Sequence, residues 1–156
     1  MSLEPIRRSV TVACPPERAF GLFTGEIDDW WPVELHSRAV DDFEGEGLKV
    51  ERLEFQGRVG GRVLEHMSNG QTLPWAEVLV WDPPTRFVLS WHPSSSARPP
   101  TEVEVRFSAS GAGTLVELEH RGWEALGPSA AALRDGYVGG WVPSLERFRT
   151  YVEEVA

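Results

Sequence analysis

The carboxyl-terminal stretch of the chain has the period of an amphipathic helix. In residues 129–155, large apolar side chains recur every three or four residues, and charged side chains occupy the opposite side. At about 1.5 Å per residue, this stretch would form a helix of about 40 Å, long enough to lie across an entire sheet. The apolar stripe consists of Tyr137, Trp141, Leu145, Phe148, Val152 and Val155.

Three residues interrupt this helical pattern near its middle. Gly139 and Gly140 each cost a helix about 1 kcal/mol, and an interior proline such as Pro143 costs about 3 kcal/mol. We therefore predict a bend at this point. Residues 145–155 would anchor the helix on a sheet, and residues 137–141 would form one wall of a cavity.

Short segments elsewhere alternate between apolar and polar residues, which is the two-residue period of a half-buried strand. Residues 102–107, with the sequence EVEVRF, show it most clearly. Turn residues such as Asn69-Gly70 separate the segments, as expected of antiparallel hairpins. Gly60-Gly61 is interpreted as a bulge or bend within a curved strand. The predicted strands cover residues 6–12, 49–55, 58–65, 75–81, 86–91, 102–107 and 114–120.

Two short helices are predicted after the first strand. Pro16 and Glu17 suit the first turn of a helix, Gly25 ends it, and residues 26–31 form a second helix that stops at Pro32. Residues 33–48 and 93–100 are predicted to be loops, and the first of these is a candidate lid. The order of elements predicts an α+β two-layer fold, in which helices at the two ends of the sequence cover the buried face of a curved antiparallel sheet of six to seven strands.

Length and composition indicate a globular protein of one domain. We expect residues 5–156 to form that domain and residues 1–4 to be disordered or a cloning remnant. The sequence has neither an apolar run of about 20 residues nor a signal pattern, so a cytoplasmic location without membrane association is expected. Cys14 is the only cysteine, which excludes an internal disulfide.

Charge and aromatic content narrow the classes of partner. The net charge of −9 argues against nucleic acid, whose phosphates require a cationic surface. Lys49 is the only lysine beside many arginines, a bias typical of a GC-rich bacterial genome. Seven tryptophans are common in cores and also in sites that hold flat or apolar ligands.

Few residues have a pattern that indicates chemistry. No two of the four histidines have metal-ligand spacing, so no metal site and no cofactor are predicted. Strand alternation points His120 inward. A buried histidine bonded to backbone is the favoured interpretation, and a polar anchor or acid–base group at a cavity is the alternative. Tyr137 is a second weak catalytic candidate, through its hydroxyl group.

Several stretches, in a fixed order, resemble a known family. Each motif alone is common, but together they cover almost the whole chain. They are residues 10–20, with a valine-rich strand followed by proline, glutamate and an aromatic residue; Gly60-Gly61-Arg62-Val63; residues 78–91, with Asp82-Pro83-Pro84, Arg86 and a final tryptophan; residues 114–120 with Gly122-Trp123; and Gly140-Trp141 with Leu145, Phe148 and Tyr151.

With these motifs the chain resembles the START-like (SRPBCC) superfamily, whose helix-grip fold is shared with the birch pollen allergen. Within it, the chain is most similar to homologues of the activator of the ninety-kilodalton heat-shock-protein ATPase. The resemblance implies a cavity between the sheet and the last helix. It does not imply one activity, since the superfamily includes carriers, receptors and polyketide cyclases.

Three hypotheses about function follow. The first is a binding protein for a small apolar or aromatic molecule, without established catalysis. The second is a cyclase- or dehydratase-like enzyme that uses His120 or Tyr137. The third is a chaperone regulator or other interaction module. Under each hypothesis we expect a monomer or homodimer. For the first, the predicted ligand-binding residues are Trp30, Trp31, Trp75, Phe87, Trp91, His120, Tyr137 and Trp141.

Overall fold

A computed structural model describes residues 4–32, 49–91 and 99–155. The loops predicted at 33–48 and 93–100, the candidate lid, and His36 and His92 lie wholly or mostly outside these residues. The described strands form one seven-stranded antiparallel sheet in the order β1-β7-β6-β5-β4-β3-β2. The strands are β1 Ile6–Val12, β2 Val50–Phe55, β3 Arg62–Met67, β4 Thr72–Asp82, β5 Arg86–Trp91, β6 Thr101–Ser110 and β7 Gly113–Arg121.

Helices lie at the two ends of the described chain. After β1 come α1 Pro16–Gly25 and α2 Ile27–Trp30, and after β7 come a 3-10 helix at Trp123–Ser129, then α3 Ala130–Val138 and α4 Trp141–Val155. The predicted α+β helix-grip fold is confirmed, with seven strands. None of the described helices has the length and apolar character needed to cross a bilayer.

The predicted bend in the C-terminal helix is also confirmed. α3 ends before Gly139, and α4 begins after Gly140. Pro143 lies in the first turn of α4, where its missing N–H costs no intrahelical hydrogen bond. The Arg8 guanidinium donates to the Val138 carbonyl at 2.6 Å, which satisfies a carbonyl at the end of α3.

The third predicted strand begins four residues later than expected. Residues 58–61 precede the assigned strand, but Gly60 and Gly61 together oppose Val78 of β4. The Gly60 N–H donates to the Val78 carbonyl at 2.9 Å, and the Val78 N–H donates to the Gly61 carbonyl at 2.8 Å, which is the pattern of a bulge, as interpreted from the sequence. Gly60 has a φ of +84°, which disfavours residues with a side chain. The backbone of Gly61 lies so close to the Gln56 carbonyl that a Cβ atom would collide with it.

This close approach predicts that Gly61→Ala lowers the free energy of unfolding by about 1 to 3 kcal/mol, because the turn must shift to admit a methyl group. Urea unfolding followed by far-ultraviolet circular dichroism would measure the loss. Gly21→Ala in α1 is the control, since a Cβ atom there meets nothing within 4 Å. Equal stability of the two variants would contradict the prediction.

The lower half of the core anchors α4 on the sheet. Leu145, Phe148 and Val152 are buried at successive turns of α4, as the helical period predicted. The Phe148 ring lies 4.9 Å from that of Phe23 and 5.0 Å from that of Trp30, in tilted and edge arrangements. Such pairs add about 0.5 to 1.5 kcal/mol each beyond the burial of area.

On the face of the sheet opposite the helices, a cluster of ion pairs joins β5, β6 and β7. Glu104 of β6 accepts from Arg86 at 3.2 Å, from Arg106 at 2.9 Å and from Arg121 at 2.6 Å. Burial alone would raise the pKa of Glu104, but hydrogen bonds from Arg106 and Arg121 outweigh it and lower the pKa to about 2. The cluster fixes the relative positions of β5, β6 and β7, which carry residues of the site.

At one edge of the sheet, a side chain covers a backbone group of β2. The N–H of Leu53 donates to the Asp28 carboxylate of α2 at 2.7 Å. The short helix predicted after α1 is therefore joined to the edge strand.

Candidate functional site

The upper half of the fold encloses a small apolar cavity between the concave side of the sheet and the start of α4. Of the eight predicted ligand-binding residues, five line it: Trp31, Trp75, Phe87, Trp91 and Trp141. Apolar side chains of α1, α2, β2, β3, β5, β6 and β7 complete the wall. The centre of a water-sized sphere can occupy about 20 Å³, which is room for about one water molecule.

Four tryptophans surround this cavity, and we refer to Trp31, Trp75, Trp91 and Trp141 as the tryptophan cluster. Their ring centroids are 4.9 Å apart for Trp31 and Trp75, 5.5 Å for Trp75 and Trp91, 5.1 Å for Trp91 and Trp141, and 6.0 Å for Trp31 and Trp141. All four side chains are buried. They come from the end of α2, two strands and α4, so the cluster exists only when the tertiary fold has formed.

Two indole N–H groups of the cluster have acceptors outside the cavity wall. Trp91 Nε1 donates to the Tyr137 hydroxyl at 3.2 Å, and Trp141 Nε1 donates to His120 Nδ1 at 3.1 Å. Trp75 Nε1 is buried, and no described residue accepts its hydrogen. The cluster therefore contains two donors fixed by protein acceptors, and one donor, Trp75 Nε1, that has no acceptor among the described residues.

His120 is fully buried behind the cluster, and its tautomer follows from its partners. An indole nitrogen can only donate, so Nδ1 accepts and the proton of the neutral ring is on Nε2. Nε2 then donates to the Thr101 hydroxyl at 2.7 Å. Burial lowers the pKa of His120 to about 3, so the ring is neutral near pH 7.

The residue Trp123 completes the surroundings of His120. Its ring lies 4.2 Å from the imidazole, and its indole N–H donates to the His120 carbonyl at 2.9 Å. With both ring nitrogens bonded inside the protein, His120 fits a buried structural histidine better than an acid–base group. Both partners of its ring are side chains, which differs from the backbone bonding expected from the sequence.

Three predicted residues lie off the cavity wall. Trp30 points into the lower core, where its indole N–H donates to the carbonyls of Leu22 and Phe23 at 3.2 and 3.3 Å. His120 and Tyr137 form a layer behind the tryptophan cluster, with 4.9 Å between their rings. Tyr137 is half-buried and accepts the hydrogen bond from Trp91.

The structure also places in the site several residues that were not predicted from the sequence. Thr101 and Trp123 hold His120, and Val103, Val105 and Leu118 line the cavity from β6 and β7. The alternation of β6 already placed its two valines inward, so that signal was present in the sequence. The position of Thr101 was not, because it lies between a Pro-rich segment and the predicted strand.

A fully buried carboxylate was also missed. Glu65 lies on β3 at a position that shares the inward side with Val63 and Met67. Its place in this alternation was the available signal. Among the described residues, no three His, Cys, Asp or Glu side chains are grouped so that they could hold a metal ion.

Comparison with known families identifies the fold and its relatives. Residues 13–153 match the sequence model of a family described as Activator of Hsp90 ATPase homolog 1-like protein. The chain belongs to this family. Together with the seven-stranded sheet and bent C-terminal helix, the match confirms the predicted START-like (SRPBCC) superfamily. No curated protein matches the sequence of this family member.

Solved structures similar to this family member include two at 25% identity or more. The anthrahydroquino-γ-pyrone synthase Txn09, in a complex with the compound SUM, is 30% identical with a TM-score of 0.61, and the match covers 96% of this chain and 97% of Txn09. CalC, a self-sacrificing resistance protein from Micromonospora echinospora, is 25% identical with a TM-score of 0.70, with 97% and 95% covered.

A third similar structure supports the fold alone. Protein MLL2253 from Mesorhizobium loti is 16% identical with a TM-score of 0.65, and the match covers 97% of this chain and 98% of MLL2253. The fold is therefore retained in this group at low sequence identity.

Proposed function

We propose that this protein binds a flat, apolar or aromatic small molecule between the sheet and the start of α4. The observation that carries the proposal is the tryptophan cluster, four buried indoles around one cavity whose described side chains are otherwise aliphatic or phenyl. Large aromatic faces favour flat ligands, through offset stacking and edge contacts. A membership in the START-like superfamily agrees with such a cavity.

The relatives support the same class of ligand. Txn09 is named as an anthrahydroquino-γ-pyrone synthase, and an anthrahydroquinone is a flat system of three fused rings. Txn09 is also the more similar of the two relatives in sequence, at 30% identity. We carry over the class of compound, a fused aromatic ring system, and not the reaction.

Binding requires the cavity to widen, because it now has room for about one water molecule. Trp31 is the member of the cluster that lies neither on a strand nor on α4; it follows α2. Displacement of its side chain would enlarge the cavity without breaking strand pairing. We call the state with the Trp31 side chain displaced the open state. A ligand that occupies the vacated space replaces the lost ring contacts, so it binds to the open state and increases its population.

The geometry gives the catalytic alternative less support. A cyclase-like reaction needs at least two polar groups that can reach the substrate. The described wall carries no carboxylate, imidazole or hydroxyl group, and both nitrogens of His120 are bonded within the protein. Only five large apolar side chains are exposed among the described residues, which gives an interaction surface little support as well.

A substitution that fills the cavity tests whether the ligand binds there. We expect fluorene, a flat three-ring hydrocarbon, to quench the intrinsic tryptophan fluorescence with a saturable curve. Val103→Phe adds a ring at the cavity wall and should reduce the affinity about tenfold or more, because the ring occupies the space that the ligand needs.

Leu79→Phe is the matched control, since Leu79 is 40% exposed and lies outside the cavity wall. This variant should bind fluorene as the wild type does. Equal binding by all three proteins would place the fluorene elsewhere, and absence of saturable binding in the wild type would contradict the proposed function.

A further inference from the structure

The Trp75 indole distinguishes one point of the cavity wall from the rest. The side chain is 2% exposed, and its Nε1 has no acceptor among the described residues. The indoles of Trp91 and Trp141 make hydrogen bonds to Tyr137 and His120. A buried N–H group without an acceptor is unfavourable, so a ligand that supplies the acceptor gains affinity.

The described side chains of the cavity wall also include hydrogen-bond donors but no acceptors. Its described side chains are valine, leucine, isoleucine, phenylalanine and tryptophan, and the only polar group among these residue types is the indole N–H. The side chains can therefore donate a hydrogen bond but cannot accept one. A ligand with a buried hydroxyl or amino group would leave its own hydrogen without a partner at this wall, which is unfavourable.

We infer that the ligand carries a carbonyl-type oxygen, such as that of an aryl ketone or quinone, and that this oxygen accepts a hydrogen bond from Trp75 Nε1. The inference rests on the proposed function and makes its ligand class narrower. The cavity selects for a fused ring system with an acceptor at one edge, and against one with a donor at the same position.

The position of Trp75 makes this contact specific. Its ring centroid lies 4.9 Å from that of Trp31 and 5.5 Å from that of Trp91, so it stands between two other members of the cluster. A flat ligand that replaces the side chain of Trp31 would have its edge next to Trp75. The rings give affinity for any flat hydrocarbon, and the Trp75 donor adds a preference for one orientation.

Three probes of similar shape test the inference by calorimetric titration. Fluorenone has a carbonyl oxygen, fluorene has a methylene group in its place, and carbazole has an N–H donor. We expect the wild type to bind fluorenone about five- to tenfold more tightly than fluorene, and carbazole less tightly than fluorene. Trp75→Phe keeps an aromatic ring but removes the donor, so the ratio between fluorenone and fluorene should fall to about one.

Trp91→Phe is the matched control, because the Trp91 indole N–H donates to Tyr137 and should not contribute to the preference for fluorenone. Any change in packing should alter both affinities by the same factor, so the ratio between the affinities for fluorenone and fluorene should stay as in the wild type. A second measurement on the wild type covers the case in which Trp75→Phe does not fold. In ¹H–¹⁵N spectra, fluorenone should move the Trp75 indole N–H resonance downfield, and fluorene should not.

The outcomes separate the inference from the proposed function. Equal binding of fluorenone and fluorene by the wild type, with no downfield shift of the Trp75 resonance, overturns the role of Trp75 and leaves the apolar site standing. Binding of none of the three probes overturns both. A fluorenone preference that is lost in Trp75→Phe and kept in Trp91→Phe supports the inference.

Discussion

Trp31→Ala is expected to lower the free energy of unfolding by about 3 to 5 kcal/mol, which is the usual cost of removing a buried aromatic side chain. The same substitution should raise the affinity for fluorene about tenfold or more. In the wild type the ligand must displace Trp31, and the affinity is reduced by the small population of the open state. Removal of the indole makes the enlarged cavity the main state.

The opposite signs of these two effects identify Trp31 as a residue that competes with the ligand. Urea unfolding gives the stability, and titration with fluorene gives the affinity. Trp30→Ala is the control, since Trp30 is also buried but lies off the cavity wall. It should lose similar stability without a gain in fluorene affinity. Weaker fluorene binding by Trp31→Ala than by the wild type would contradict the role given to Trp31.

His120→Leu is expected to lower the free energy of unfolding by about 2 to 4 kcal/mol, although leucine has a suitable size. The Trp141 N–H loses its acceptor, which costs about 1 to 3 kcal/mol for a buried group, and the Thr101 hydroxyl loses one of its two hydrogen bonds but keeps the bond that it donates to the Trp91 carbonyl at 3.4 Å. His120→Gln keeps a polar group at this position and should lose less stability. Equal losses in the two variants would mean that packing alone explains the effect.

The same residue should make stability depend on pH. Burial lowers the pKa of His120 from an ordinary value of 6.5 to about 3, so below pH 6.5 the unfolded chain binds a proton that the folded protein does not. The contribution of His120 to the free energy of unfolding is therefore complete above pH 6.5 and is lost as the pH falls towards 3. Between about pH 7.5 and pH 5, this loss amounts to about 2 kcal/mol.

Urea unfolding of the wild type and of His120→Leu over this range would measure the difference. The variant should lack the His120 contribution and therefore show a flatter profile. Glu104 acts in a lower window, because its pKa falls from an ordinary 4.5 to about 2, and its stabilisation is lost only as the pH falls below 4.5. Parallel profiles of the two proteins above pH 5 would contradict the assignment to His120.

Most of the fold could be predicted from the periods of the apolar residues. The alternation in residues 102–107 and the helical stripe in 145–155 each depend on a regular element with one buried face, and such elements have a signature in the sequence. The first residue of β3 could not be predicted in this way. Residues 56–61 are polar residues and glycines around a single valine, so the apolar period does not specify where the turn ends and the strand begins.

The site could be predicted only in part, because its geometry joins residues that are distant in the chain. Trp30 and Trp31 are neighbours in the sequence, yet one packs in the lower core and the other lines the cavity. α2 ends at Trp30, so the side chains of Trp30 and Trp31 point in different directions, and the apolar period does not specify where α2 ends. The partners of His120 come from Thr101 and Trp141, and no local pattern relates these positions.

The bond between Asp28 and the Leu53 N–H has a consequence for how copies of this protein meet. Among the described strands, β2 lies at the edge of the sheet, and an uncovered edge is a template for strand addition by another chain. The Asp28 carboxylate occupies one of the donors that a new strand would need, and it places a negative charge beside the edge. Aggregation by edge-to-edge pairing is therefore opposed at β2 by a side chain of the neighbouring helix.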